Sequence, residues 1–142
     1  MKRTDSLMRL KRFRVDDLKR RMGTLDGMKS DLERKLTDLE DNVAREKQRA
    51  NDSDIGRLAF PSFLRSIESR RENLRETLKE IERERAVAQN DLASAYQDLK
   101  AFELATEQQA RRLEEAEARR AQTQLDEMAL VRHLRKHALR QA

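Results

Sequence analysis

The chain has 142 residues, of which 42% are charged, 37% hydrophobic and 4% aromatic, with no Trp, three Gly and one Pro; its mean hydropathy is −1.01. A compact globule of this length needs more apolar volume and more aromatics, and a sandwich or barrel needs more turn residues, so disorder or long helices sharing a narrow seam remain. The absence of Cys excludes a disulfide scaffold and a thiolate metal site.

The net charge of +5 is unevenly placed. Residues 1–22 hold nine basic and three acidic residues, residues 128–142 hold four basic and no acidic residues, and the stretch between carries −5. Two basic ends on an acidic body are either solvated termini or an electrostatic docking pole. The opening Met1–Asp5 leads into no apolar run, and no stretch approaches the roughly 20 apolar residues of a membrane span. A cytoplasmic protein is the expectation.

In chain order, the first periodic segment is helical. Leu18, Met22, Leu25, Leu32, Leu36, Leu39 and Val43 follow steps of four and three, with Lys29 the one polar seam position, which is heptad spacing. Leu7 and Leu10 are expected to join this stripe through an 11-residue step from Leu7 to Leu18, a local change of supercoil. The first helix is therefore expected over about 4–50. Gly23 and Gly27 inside it are either weak points that the helix tolerates or places where another backbone comes close.

The segment Asn51-Asp52-Ser53-Asp54-Ile55-Gly56 through Pro61 collects turn formers and the one Pro. It predicts a loop over about 51–61, with Pro61 in the first turn of the next helix. Downstream, Phe60, Ile67, Leu74, Ile81, Ala88, Ala95 and Phe102 recur every seven residues. Leu64, Arg71, Leu78, Arg85, Leu92 and Leu99 fill the companion position. From residue 103 the same positions turn polar. If the chain reverses near residue 56, residue 3 meets residue 109, so the first helix runs out where the second seam fades. The fold class predicted is all-α: a single domain over 1–142, a long antiparallel two-helix coiled-coil hairpin whose second helix, about 62–140, overhangs. Leu125, Met128, Val131 and Leu134 give the overhang an apolar stripe of its own. On the outer faces, Asp31 with Lys35, Asp41 with Arg45 and Glu115 with Arg119 are expected to pair, acid first and four apart.

Little points to chemistry. The glycines do not form a phosphate-binding loop, and a two-helix seam has no pocket to shelter a nucleophile, so no catalytic residue, cofactor or small-molecule substrate is expected. His133 and His137 share a helix face at metal-ligand spacing, but Arg132, Arg135 and Lys136 around them repel cations. A basic-zipper reading lacks a basic region feeding a parallel zipper, and no base-stacking aromatics accompany the Lys and Arg residues, so nucleic acid is not the favoured partner. Membrane-surface binding by the amphipathic N-terminus is a comparably weak alternative.

The start LMRLKRFRVDDLKRRMGTLDGM, the central block AFPSFLRSIESRRENLRETL and the hairpin pattern together resemble the FliJ family of flagellar type III export proteins. The resemblance covers nearly the whole chain, and the aromatic helix start after a polar loop is its more specific part. It implies a non-enzymatic coiled coil, similar to the central stalk of rotary ATPases. Its partners would be the hexameric export ATPase, the cytoplasmic domain of the export gate, and export chaperones. It would sit in the cytoplasm, peripheral to the inner membrane at the flagellar base and touching the membrane only through those partners. By that resemblance Phe60, Phe63 and Ile67 are the candidates for gate binding; Phe60 and Ile67 fall in the seam, with Phe63 beside it and partly exposed. The basic ends suit an acidic pore wall, which makes Arg132, Arg135, Lys136, Arg140, Arg9, Lys11 and Arg12 the candidates for docking the ATPase. A structural or oligomerising coiled coil is the runner-up; it shares every feature except the basic poles, the overhang and the aromatic block.

Overall fold

A computed structural model describes residues 2–141. Two α-helices account for it: α1, Lys2–Asp52, and α2, Asp54–Gln141, with α1 packed along its length against the first part of α2. At 1.5 Å per residue they run about 77 Å and about 132 Å, so the antiparallel hairpin predicted from the two seams is the fold, and α2 extends beyond α1.

The seam explains the pairing. On α1 the buried or half-buried positions are Thr4, Met8, Lys11, Val15 and Leu18, continuing in unbroken steps of four and three through Leu25 and Leu39 to Ala50. On α2 they run with the same rhythm from Phe60 through Ile67, Ile81, Ala88 and Leu99 to Thr106. Leu25, Ile81 and Ala88 are the tightest cluster, with Met22 and Leu32 against it. Of the six ion pairs between the helices among the described residues, the three in the middle of the body read the register most directly: Asp26–Arg85 at 2.5 Å, Lys29–Glu82 at 3.9 Å and Glu40–Arg71 at 2.8 Å. In each of these three the residue numbers total 111, beside the reversal near residue 56 read from the sequence. Arg71 and Arg85 are the polar companions in the α2 seam, and each reaches across to an acid on α1, the way polar seam residues specify register.

Three details differ from the sequence-based expectations. The expected 11-residue step does not occur: Leu7 and Leu10 are 45% and 65% exposed, and the seam passes instead through Met8, Lys11 and Val15. Lys11 fits there because its stem lies along the seam while its ammonium reaches Asp98 at 2.6 Å and sits 5.4 Å from the centre of the Phe102 ring. The chain also reverses at Ser53 alone rather than over 51–61. The Ser53 side-chain oxygen accepts a hydrogen bond from the Gly56 backbone N–H at 2.9 Å, so Ser53 is the N-cap of α2. Pro61 consequently lies inside α2. It removes one hydrogen bond from the exposed tip, where water can satisfy the orphaned carbonyl. Of the three outer-face pairs, Glu115–Arg119 forms at 3.9 Å, whereas Asp31 takes Arg34 and Arg45 takes Asn42.

Candidate protein-interaction surfaces

Three exposed regions present apolar or basic side chains that the hairpin itself does not cover. The first is the hairpin tip. Phe60 and Phe63 are half-buried and stacked with centroids 6.5 Å apart, whereas Ile67 is 3% exposed and belongs to the core. Of the three gate candidates, Phe60 and Phe63 therefore lie at the surface and Ile67 supports them from below. Ile55 and Leu58, 82% and 83% exposed, form a further apolar pair at the same end. Sequence reading missed them by placing them in a loop. Had the helix been started at Ser53, their three-residue spacing would have put them on one face.

Gly56 closes this end. A Cβ there would lie 2.9 Å from the Arg49 carbonyl oxygen and 3.1 Å from the Ala50 Cα, so the two helices touch backbone to backbone beside the turn. Gly23 and Gly27 have nothing within 4 Å of such an atom. Within the hairpin they mark no close approach.

The second region is a groove on the flank of the body, where exposed Leu10 and Phe13 border Asp91, Ser94, Ala95 and Asp98. Leu10 was read as a seam residue; its exposure makes it part of this surface instead.

The third is the overhang. A cleft formed by Thr4, Met8 and Arg12 with Thr106 marks the last place where α1 covers α2. Beyond about residue 109, all seven large apolar side chains are exposed, from Val131 at 49% to Leu139 at 78%. Arg132 and Arg135 line a shallow groove with Gln124, Glu127, Met128 and Val131, and Lys136 and Arg140 are exposed near the tip. The His133 and His137 rings stack 6.4 Å apart. Among the described residues no group of three or more His, Cys, Asp or Glu could hold a metal.

The two sets of basic candidates are not brought together. Arg132 lies 26 residues past Thr106, about 39 Å along the helix. Lys11 and Arg12 are also engaged on α2, with Asp98 at 2.6 Å and Glu103 at 3.9 Å. Arg9, by contrast, is exposed beside the Thr4–Thr106 cleft. The N-terminal cluster thus helps close the hairpin, and the C-terminal cluster stands alone.

Among the described residues no helix is long and apolar enough to cross a membrane. Comparison with known proteins returned one finding. The model of a family described as Flagellar FliJ protein matches residues 1–138, while no curated protein and no solved structure matched. With a match over nearly the whole length and a two-helix hairpin beneath it, the chain belongs to the flagellar FliJ protein family, a family of non-catalytic components of flagellar type III export.

Proposed function

We propose that this chain is a stalk whose C-terminal overhang docks into the hexameric export ATPase and promotes its activity, and whose tip contacts the cytoplasmic domain of the export gate. Export chaperones are further partners on this reading, and the protein works at the cytoplasmic side of the inner membrane, held there by the proteins it binds. The observation that carries it is the overhang: Arg132, Arg135, Lys136 and Arg140 on one uncovered helix end, with no acidic residue from 128 onward. Such an end favours an acidic ring, and long-range attraction would chiefly speed encounter and weaken with salt. At the other end, the Phe60–Phe63 stack with Ile55 and Leu58 offers the apolar contact for the gate.

The test is the triple reversal Arg132→Glu, Arg135→Glu, Arg140→Glu. Binding to the export ATPase should slow and stimulation of its turnover should vanish, with helicity by circular dichroism unchanged. Stimulation that survives the reversal removes the overhang from the mechanism. Equal binding to any DNA duplex, lost on the same reversal, would favour a nucleic-acid partner instead.

A further inference from the structure

The overhang carries a second pattern, which shares Arg132 and Arg135 with the docking reading but adds the acids Glu114 and Glu117. At 100° per residue, Glu114, Glu117, Ala121, Met128, Arg132 and Arg135 fall on one stripe about 60° wide, with Leu125 about 20° beyond one edge. The order of residue types along it is acid, acid, small, large, base, base. Leu125 lies at its midpoint, 59% exposed. Reversed end for end, the stripe complements itself.

We propose that the free protein pairs with a second copy of itself through this stripe, overhang against overhang and antiparallel, about a twofold axis between residues 124 and 125. In that arrangement Glu117 of each chain faces Arg132 of the other, Glu114 faces Arg135, Ala121 faces Met128, and Leu125 packs near the axis. A twofold contact requires such a self-complementary patch.

Three observations support a second copy as the occupant. Neighbouring acids are taken within the helix, Glu107 by Arg111 at 2.7 Å and Glu115 by Arg119 at 3.9 Å. Among the described residues, Glu114, Glu117, Arg132 and Arg135 form no ion pair. The length also fits. With this axis, Leu139 of one copy lies beside Ala110 of the other, and the tip ends near residue 108, level with the start of α1 at Lys2. Finally, a parallel pairing would set Glu114 on Glu114 and Arg132 on Arg132, so orientation is fixed by charge. The contact is about 45 Å long and about 10 Å wide on each helix, on the order of 900 Å² in all, at the weak, reversible end of specific interfaces.

Sedimentation equilibrium of the full chain at low salt, from about 1 μM to about 1 mM, should show the mass rising from 16.8 kDa toward twice that value. The double variants Glu114→Arg/Glu117→Arg and Arg132→Glu/Arg135→Glu turn four attractions into repulsions. Each should raise the dissociation constant at least about tenfold. Mixed one to one, the two variants should recover association, which a folding defect could not do. The chain has no Cys of its own, so orientation can be read by oxidation. Ala110→Cys/Leu139→Cys should cross-link between chains, and Leu139→Cys alone should not. A monomer at every concentration, a dimer indifferent to both double variants, no recovery on mixing, or cross-linking through Leu139→Cys alone would each overturn the proposal.

Discussion

The hairpin body and the overhang are built from one continuous helix, α2, yet different physics holds each. Between Phe60 and Thr106, α2 alternates three- and four-residue steps of buried and half-buried positions against α1. Its polar seam residues, Arg71 and Arg85, are tied to Glu40 and Asp26. Past residue 109 no second helix covers it, and among the described residues every side chain except that of Ala116 is exposed. The overhang is held by local terms only: helix-favouring Ala, Leu, Glu, Arg and Gln, the pair Glu115–Arg119 and the Gln122–Asp126 hydrogen bond. Such terms contribute a few tenths of a kcal/mol each, and most helical stability in proteins comes from packing of an amphipathic face, which the overhang lacks. The body is a folded scaffold; the overhang is a helix poised to gain stability from whatever binds it.

The largest effects should separate the two regions by core truncation. Ile81→Ala removes the centre of the Leu25–Ile81–Ala88 cluster and should cost about 2–5 kcal/mol. Leu134→Ala, chemically a similar loss at a site 57% exposed, should stay within about 0.5 kcal/mol. Urea unfolding followed by circular dichroism checks both. Equal costs would mean that the overhang is buried in solution and the comparison is wrong as drawn.

A smaller effect tests the turn. Gly56→Ala drives a methyl against the Arg49 carbonyl and the Ala50 Cα, backbone atoms that cannot step aside, and should destabilise by about 1–3 kcal/mol. The same change at Gly23, where a Cβ meets nothing, should stabilise by about 1 kcal/mol through helix propensity alone. Opposite signs in thermal melts are the expected result. A stabilising Gly56→Ala would show that the helices do not touch there.

This contrast also marks what the sequence could and could not say. The hairpin, the register near residue 56 and the point where the seam fades were all legible, because heptad spacing from Leu18 to Val43 and from Phe60 to Phe102 is a long signal with one physical cause. The N-terminal seam was misread because Leu7 and Leu10 look more apolar than Lys11. Strict periodicity was the better guide, since a Lys stem can line a seam while its charge reaches Asp98. The turn was misread because Asn, Asp, Ser and Pro were counted as loop residues. Ser53 instead acts as a helix cap and consumes a single position. Among the basic candidates, composition alone could not tell Lys11 and Arg12, which close the hairpin, from Arg132 and Arg135, which stand free; that depends on which acids lie opposite.

The smallest global effect sharpens the comparison most. Ala118→Gly sits in the overhang, exposed and outside the self-complementary stripe. Glycine in a helix interior costs about 1 kcal/mol relative to Ala, because it gives up more backbone freedom on ordering. In the body, a penalty of that size would lower the melting midpoint, since every residue there shares the seam. In the overhang it should leave the midpoint of the hairpin unchanged. The cost should appear only locally, as roughly fivefold faster amide exchange over about 111–125, the factor that 1 kcal/mol represents. Measurements should be made at low micromolar concentration, where pairing between copies does not protect these amides. A midpoint that falls with Ala118→Gly would show the overhang and the seam folding as one cooperative unit. Unchanged exchange would show the overhang protected by a contact that the isolated hairpin does not supply.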